Sequence, residues 1–252
     1  MLAYNYGRTK DYSSSSTIAF SSFTSTRTVN GNNLPDYSFS DNDTRHRVIG
    51  NITYRKEIAK AVALQVSLFG QSQSLGRFSY GYSNDMNLDG ISGNDLLYIP
   101  KDQSEMNFDP ITGAVPFTVQ QQKDAFENYI QNNSYLKNHR GQVAQRNGVL
   151  QPMLTRFDLS TVVEVFRNFG KQRHTIQFRA DIFNVGNFVN HQWGVAHIIN
   201  TTSPLAFTRV DAAGVPYFRM NTVTGTLNYE TYRKGTAIQD VWQGQLGVRY
   251  LF

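Results

Sequence analysis

An acidic segment in the first half of the chain has the residue types and spacing of a cation-binding loop. Residues 85–95 read Asp-Met-Asn-Leu-Asp-Gly-Ile-Ser-Gly-Asn-Asp. An EF-hand loop has oxygen ligands at positions one, three and five, a glycine at six and a backbone carbonyl ligand at seven. Asp85, Asn87, Asp89 and the carbonyl of Ile91 occupy the four ligand positions, so the pattern predicts calcium as a cofactor.

The end of this loop departs from the EF-hand pattern. Position twelve is Leu96 instead of a bidentate glutamate, and the nearest carboxylate, Asp95, comes one residue earlier. Loops rich in Asp and Asn also form turns without any ion. The sequence therefore leaves two interpretations open, a calcium site closed by Asp95 and an ion-free surface loop. No other cofactor is predicted.

Residues that could perform catalysis are scattered. The chain has five histidines and no cysteine, which excludes disulfides, thiolate metal sites and cysteine nucleophiles. The spacing of His191 and His197 matches no zinc pattern. We find no nucleophile elbow, phosphate-binding loop or dinucleotide fingerprint, so we predict no catalytic residue and no enzymatic activity.

The net charge of +5 comes from 24 basic and 19 acidic residues. The basic residues are dispersed, and Arg45 and Arg47 form the tightest pair without any run of five or more. A nucleic-acid partner is therefore not expected.

Six windows alternate between apolar and polar residues with period two, which is typical of strands with two different faces. In the last window Arg249, Gly247 and Gln245 alternate with apolar residues. The predicted strands lie near 1–12, 44–56, 61–73, 154–166, 173–185 and 240–252, and the predicted long loops are 14–43, 74–153 and 187–239.

Short and long connections alternate along the chain. A loop of about 80 residues is uncommon in a compact soluble domain, whereas membrane β-barrels combine short turns at one rim with long loops at the other. The sequence thus predicts an all-β fold, an antiparallel up-and-down transmembrane β-barrel segment of about six strands with long extracellular loops, forming part of a barrel. Phe157 and Phe178 would face lipid, and the lumen would be lined by Arg156, Asp158, Glu164, Arg179, Asp181 and Arg249.

Local order is also predicted inside the loops. Thr118 and Gln121 are spaced as a capping box at the start of an apolar pattern, which predicts a short amphipathic helix within 118–138. Residues 207–220, with Asp211 and Gly214 in the middle, predict a hairpin above the barrel.

The terminal strand resembles the signal by which outer-membrane barrels are handed to their assembly machinery. The residues that carry this resemblance are Trp242, Leu246, Val248, Tyr250 and Phe252.

Six motifs in order resemble the C-terminal part of Oar-like TonB-dependent receptors. They lie at 43–50, at 85–90 together with 94–100, and at 139–142, 156–159, 177–187 and 242–252. The resemblance implies a Gram-negative outer-membrane transporter whose full-length parent, with a plug and the TonB complex as partners, imports a bulky nutrient or peptide. Such barrels have about 22 strands, and no plug, TonB box or signal peptide is found in this sequence. The chain is therefore expected to be a fragment.

A different class of protein remains as an alternative. A secreted soluble β-sandwich, such as a calcium-dependent carbohydrate-binding module, would also combine alternating strands with the 85–95 loop. The two hypotheses differ in what covers the apolar strand faces, because a sandwich buries them against each other and a barrel exposes them to lipid.

Overall fold

The computed structural model describes residues 1–13, 18–170, 172–227 and 230–252. Residues 14–17, at the start of the predicted loop 14–43, lie outside this description. The same holds for residues 228 and 229 within the predicted loop 187–239. Strands predominate, and they pair mainly in antiparallel fashion, so the predicted all-β class is confirmed.

One large antiparallel sheet organises the chain. Its six strands follow one another in chain order, so that each pairs with the next, and β1 and β6 form the two edges in the described part of the chain. The strands are β1 (Leu2–Tyr6), β2 (His46–Ala59), β3 (Val62–Ser74), β4 (Met153–Phe169), β5 (Gln172–Phe183) and β6 (Gln243–Leu251).

The tight connections lie at one end of this sheet. Lys60 and Ala61 join β2 to β3. Gly170 follows β4 directly and has φ +64°, a left-handed conformation that glycine adopts without steric cost. The three long connections, 7–45, 75–152 and 184–242, leave from the opposite end because each tight turn reverses the chain once.

The predicted first strand, 1–12, is too long. β1 ends at Tyr6, and the N–H of Thr9 donates instead to the carboxylate of Asp43 at 2.8 Å. Lys10–Asp11 then pairs with Ser38–Phe39 outside the large sheet. Asp43 is fully buried and forms an ion pair with Arg77, with Arg45 at 3.5 Å. Burial alone would raise the pKa of Asp43, but the Thr9 N–H and the Arg77 guanidinium lower it below its usual value.

The predicted fifth strand, 173–185, also ends early. Asn184 adopts a left-handed conformation with φ +53° and starts a short helix, Val185–Val189. Its backbone N–H donates to Asp158 on β4 at 2.7 Å. The chain leaves the sheet here, because this N–H is bonded to a side chain and is not available for a backbone hydrogen bond to the neighbouring strand.

The dry core of the protein lies in the long connections. Its residues come from segments between 78 and 149 and from 205, 220 and 227. The largest fully buried side chains there include Tyr80, Leu97, Ile99, Phe126 and Tyr129. We call this part, residues 75–152 and 200–227, the loop module.

The predicted helix and hairpin are both found in the loop module. The helix spans Val119–Gln131, and Thr118 and Gln121 form the expected capping box. Its buried face includes Ala125, Phe126 and Tyr129. The hairpin pairs Leu205–Val210 with Pro216–Met220. The helix and the hairpin are thus confirmed as elements, and both contribute to the same core. The location of the hairpin above a barrel stays a prediction.

The remaining elements are short. The helices are Ala19–Ser25 and Ser134–Asn138, with single 3-10 turns at Gln103–Glu105 and Ile238–Asp240. The short strand pairs are Arg77–Phe78 with Val149–Leu150, Tyr98–Ile99 with Gln142–Val143, His197–Ile199 with Tyr232–Lys234, and Thr222–Val223 with Thr226–Leu227. Within the described ranges no helix has the length and apolar character needed to cross a membrane.

Candidate functional site

The register of the large sheet divides its side chains between an apolar and a polar face. Residues paired across antiparallel strands point to the same side. One row therefore joins Ile52, Leu68, Leu159 and Ile182, while the next joins Thr53, Ser67, Ser160 and Asp181. The same parity extends across β6, where Leu246 pairs with Ala180 and Gln245 with Asp181.

The apolar face is exposed. Leu246 is 85% exposed, Val248 71%, Phe178 50% and Ile176 41%. Large apolar residues on β1 and β2, such as Leu2 and Ile52, are exposed too. This face is therefore an extended apolar surface that the described part of the chain leaves uncovered.

Two tyrosine–histidine pairs stand at opposite ends of the apolar face. Near the long connections, the hydroxyl of Tyr4 lies 2.8 Å from Nδ1 of His46. Near the tight turns, the hydroxyl of Tyr250 lies 2.5 Å from Nδ1 of His174. In both pairs the rings are stacked. The rows between them are mainly aliphatic, so polar aromatic groups bound the apolar surface at either end.

A glycine row interrupts this surface. Gly50 and Gly70 are paired on β2 and β3, and Phe157 of β4 lies opposite Gly70. The Phe157 ring covers Gly70 so closely that a Cβ added there would lie 2.8 Å from two ring carbons. The glycines leave a groove of about 460 Å³, lined by Leu2, Ile52 and Phe157 among others.

The polar face carries an ion-paired network. Arg55 on β2 donates to Glu164 on β4 at 2.6 Å, and Gln177 on β5 donates to the same carboxylate at 2.7 Å. Arg179 donates to Asp181 at 2.7 Å, and Arg249 lies opposite Gln177. All six residues predicted to line a lumen, Arg156, Asp158, Glu164, Arg179, Asp181 and Arg249, thus lie on one face. Their lumenal location stays a prediction.

Two of these residues, Arg156 and Asp158, form hydrogen bonds that connect β4 to the long connection 184–242. Arg156 donates to the carboxylate of Asp240 at 2.7 Å and to the carbonyl of Gly194 at 3.0 Å. Asp158 accepts the Asn184 N–H. Both lie on the polar side of β4, and their partners come from the 184–242 connection. Asp240 was missed in the sequence because its role depends on a residue 84 positions away.

The residues of the predicted assembly signal are solvent-exposed on and beside β6. Trp242 packs edge-to-face against Phe188 with ring centroids 5.1 Å apart. Tyr250 stacks on Phe252 at 5.7 Å. Leu246 and Val248 lie between them on the apolar face. Their role in assembly stays a prediction.

The acidic loop uses its carboxylates to hold its own backbone. Asp85 accepts the Gly90 N–H at 2.8 Å, Asp89 accepts the Ile91 N–H at 2.9 Å, and Asp95 accepts the Met86 N–H at 2.6 Å. Gly90 has φ +89°, which the turn requires. The loop is therefore folded by hydrogen bonds of its ligand-type side chains.

The inner and outer parts of this loop differ in burial. Asn87 to Gly90 are exposed, whereas Asn94 and Asp95 are buried. Burial raises the pKa of Asp95, although the N–H groups of Met86 and Asn87 oppose this. The Ile91 N–H lowers the pKa of Asp89. Within the described ranges no three His, Cys, Asp or Glu side chains are gathered closely enough to hold a metal ion.

An apolar pocket in the loop module was not predicted. It has a volume of about 430 Å³, and its walls include Tyr82, Phe108, Phe126 and Phe218, with Glu105 at the polar side. Phe126 and Phe218 belong to the predicted helix and hairpin, but the sequence could not show that these elements pack against the irregular segments around Tyr82 and Phe108.

Comparisons with protein families, with curated proteins and with solved structures found no match.

Proposed function

We propose that this chain is the barrel portion of an Oar-like TonB-dependent receptor in the outer membrane of a Gram-negative bacterium. In this proposal the full-length parent imports a bulky nutrient or peptide with energy coupled through TonB. The single observation that carries the proposal is the exposed apolar face of the six-stranded sheet.

The energetics of this face favour lipid as its covering. A large apolar side chain loses roughly 1.5–3 kcal/mol when it stays in water instead of becoming buried. Leu246, Val248, Ile52 and Phe178 together would therefore be costly in a soluble protein. Lipid removes the cost without requiring a second protein layer.

The dimensions of the face fit a membrane barrel. From Phe157 to Val165, β4 rises about 27 Å at roughly 3.4 Å per residue, and a strand tilt of about 40° reduces this to a height of about 20 Å. Outer-membrane barrels have an apolar band roughly 25 Å tall between aromatic girdles. The two tyrosine–histidine pairs would lie in these girdles, since tyrosine favours the membrane interface.

The distribution of connections supports an orientation. Both tight turns lie at one end of the sheet, which would be the periplasmic rim, and the loop module lies at the other end, outside the cell. The polar face with its Arg55–Glu164 pair would line the lumen. In the parent, the open edges at β1 and β6 would pair with further strands, because unpaired backbone groups in lipid cost several kcal/mol each.

The alternative of a soluble β-sandwich is less well supported. A sandwich buries its apolar strand faces between two sheets about 10 Å apart. In the described part of the chain, the exposed Leu246 and Val248 have no such second sheet above them.

Neighbouring positions on β6 provide a direct test. Because the sequence has no cysteine, each substitution introduces a single thiol for an environment-sensitive fluorophore. In lipid vesicles containing the full chain, we expect blue-shifted emission at Leu246→Cys and Val248→Cys. At Gln245→Cys and Arg249→Cys we expect red-shifted emission that iodide quenches.

Two results would contradict the membrane assignment. One is identical emission at the adjacent positions 248 and 249. The other is a chain that is monodisperse and melts cooperatively in buffer without detergent, because its apolar face must then be covered by protein.

The receptor part of the proposal has its own test. Genomic DNA upstream of Met1 should continue in frame and encode further alternating strands, a plug and a TonB box. Deletion of the TonB system should then abolish ligand uptake by the parent. An upstream in-frame stop codon would contradict the TonB-dependent assignment, whatever the fluorescence result.

A further inference from the structure

Three arginine side chains line one polar cavity where the first long connection meets the loop module. Arg27 comes from the connection 7–45, and Arg77 and Arg146 come from the loop module. The cavity has a volume of about 360 Å³, and Asp41 and Asn147 also line it. Asp41 is exposed, whereas Arg146 and Asn147 are buried. The cavity therefore combines an exposed edge with a buried lining that carries positive charge.

The guanidinium of Arg27 is held by neutral groups. It donates through Nη1 to the carbonyl of Ser79 at 2.5 Å and through Nη2 to the hydroxyl of Thr202 at 3.1 Å. No carboxylate in the described part of the chain forms an ion pair with it. Burial lowers the pKa of Arg27, and the negative charge of Asp41 opposes this only in part. The positive charge of Arg27 is therefore available to an anion.

Arg146 is a second arginine with unused hydrogen-bond donors. Its side chain is 2% exposed, and Nη2 lies 2.8 Å from the carboxylate of Asp11 and 3.3 Å from the carbonyl of Asp36. Its Nε and Nη1 atoms are buried and have no acceptor in the described structure. Buried N–H groups normally have a partner, because an unpaired donor loses the hydrogen bond that water would provide. Arg146 thus has two donors for a further acceptor.

Hydrogen bonds fix the positions of the groups around the cavity. The backbone N–H of Asn147 donates to the hydroxyl of Ser79 at 2.8 Å, and Arg77 donates to the carbonyl of Asn147 at 3.2 Å. Arg27 donates to the carbonyl of the same Ser79. Arg77 itself is paired with Asp43, so its charge is largely compensated. The guanidinium groups are therefore held in place by the protein, and a ligand would not have to order them.

From these contacts we propose that the cavity binds a small oxyanion, which is a carboxylate, sulfate or phosphate group of a ligand. Arg27 and Arg146 would hold it, because a planar guanidinium donates two parallel hydrogen bonds to such an anion. The volume lies at the lower end of the range of roughly 300–1,000 Å³ for small-molecule sites, so a small group attached to the anion also fits. The proposal concerns the folded connections and does not rest on the membrane assignment.

Calorimetric titration of the folded full chain with sodium sulfate, sodium phosphate and sodium acetate, each at constant ionic strength, tests this proposal. We expect one ion per chain for at least one of the three salts, and the tightest binder identifies the anionic group. Arg27→Gln should weaken this binding about tenfold or more, because it removes charge-assisted hydrogen bonds. Asp41→Asn should tighten it about two- to fivefold, because a negative charge that repels the anion is lost.

Arg219→Gln is the matched control. Arg219 is an exposed arginine of the loop module that does not line the cavity, so its replacement should leave binding equal to that of the native chain. Each variant is checked for native circular dichroism. If Arg27→Gln does not fold, Arg27→Lys replaces it, and we expect weaker binding because lysine keeps the charge but not the planar donor pair.

Three outcomes would overturn the proposal. They are flat titrations of the folded native chain with all three salts, unchanged binding in the Arg27 variant, and an equal loss of binding in Arg219→Gln. The measurement can be made on any folded preparation, in detergent or in buffer, so its failure is independent of the membrane assignment.

Discussion

Asp43 is the clearest case of a single side chain that organises its surroundings. Its buried carboxylate pairs with Arg77, whose guanidinium lies 3.7 Å from the centroid of the Phe39 ring. The Asp43 carboxylate also accepts the N–H of Thr9, which lies just beyond the end of β1. The sequence could not reveal this role, because an Asn-Asp pair is typical of an exposed turn and Arg77 is 34 residues away.

Replacing Asp43 by Asn should destabilise the full chain by about 3–5 kcal/mol at pH 7, because it leaves a buried arginine without its partner. The pKa of Asp43 is lowered in the folded state. Its contribution is therefore complete above the unfolded value of roughly 4 and is lost as the pH falls through the lower folded value. Denaturant titrations of both proteins in detergent from pH 7 to pH 3 check this.

The control for this prediction is Lys101→Met, which removes an exposed ion pair with Glu105. We expect it to cost less than about 1 kcal/mol. If the difference in the free energy of unfolding between the native chain and Asp43→Asn stayed constant down to pH 3, the predicted titration of Asp43 would be wrong.

Gly70 should tolerate a methyl group poorly. A Cβ there would lie 2.8 Å from two carbons of the Phe157 ring, whereas at Gly50 the nearest atom, Leu2 Cδ1, is 3.6 Å away. We expect Gly70→Ala to cost about 1–3 kcal/mol more than Gly50→Ala in denaturant titrations, which is the usual cost of overpacking.

Replacing Phe157 by Ala tests whether contact with its ring causes the greater cost of Gly70→Ala. In Phe157→Ala, the additional penalty of Gly70→Ala over Gly50→Ala should disappear. If the penalty persists without the ring, backbone conformation and not crowding makes Gly70 necessary.

At the scale of elements, the features that depend on local sequence were predicted correctly, and the features that depend on long-range contacts were not. The faces of β4, β5 and β6 follow from alternation alone, and the Thr118–Gln121 capping box fixes the start of its helix within one residue. The ends of β1 and β5 were wrong because Asp43 and Asp158 capture backbone N–H groups from distant segments. Sequence periodicity carries no information about such captures.

The capped helix of the loop module offers a test at this scale. Thr118 is exposed, and its side chain accepts the Gln121 N–H at 3.2 Å. Thr118→Ala should lower the free energy of unfolding by about 1 kcal/mol, since one N–H of the first turn loses its acceptor. Thr118→Ser keeps the acceptor and should be nearly neutral. Equal destabilisation by both substitutions would mean that the methyl group, not the cap, stabilises the helix.

At the scale of the whole molecule, the sheet exposes its apolar side chains, whereas the loop module buries its own in a core. The sheet was predictable because its strands carry their own pattern, but the loop core was not, since Tyr80, Leu97 and Ile99 belong to irregular segments. The acidic loop was recognised because its residues are local in sequence, and calcium binding there stays a prediction. The burial of Asn94 and Thr28 was missed, because it depends on a contact between residues 66 positions apart.

The location of the dry core has a thermodynamic consequence. Unfolding raises the heat capacity in proportion to the apolar surface that becomes hydrated. If the unfolded sheet stays bound to lipid or detergent, its apolar side chains remain out of water before and after unfolding. Only the core around Phe126 and Tyr129 then becomes hydrated. A thermogram of this protein would then report mainly the unfolding of the loop module, and unfolding of the strands would contribute little to the measured change in heat capacity.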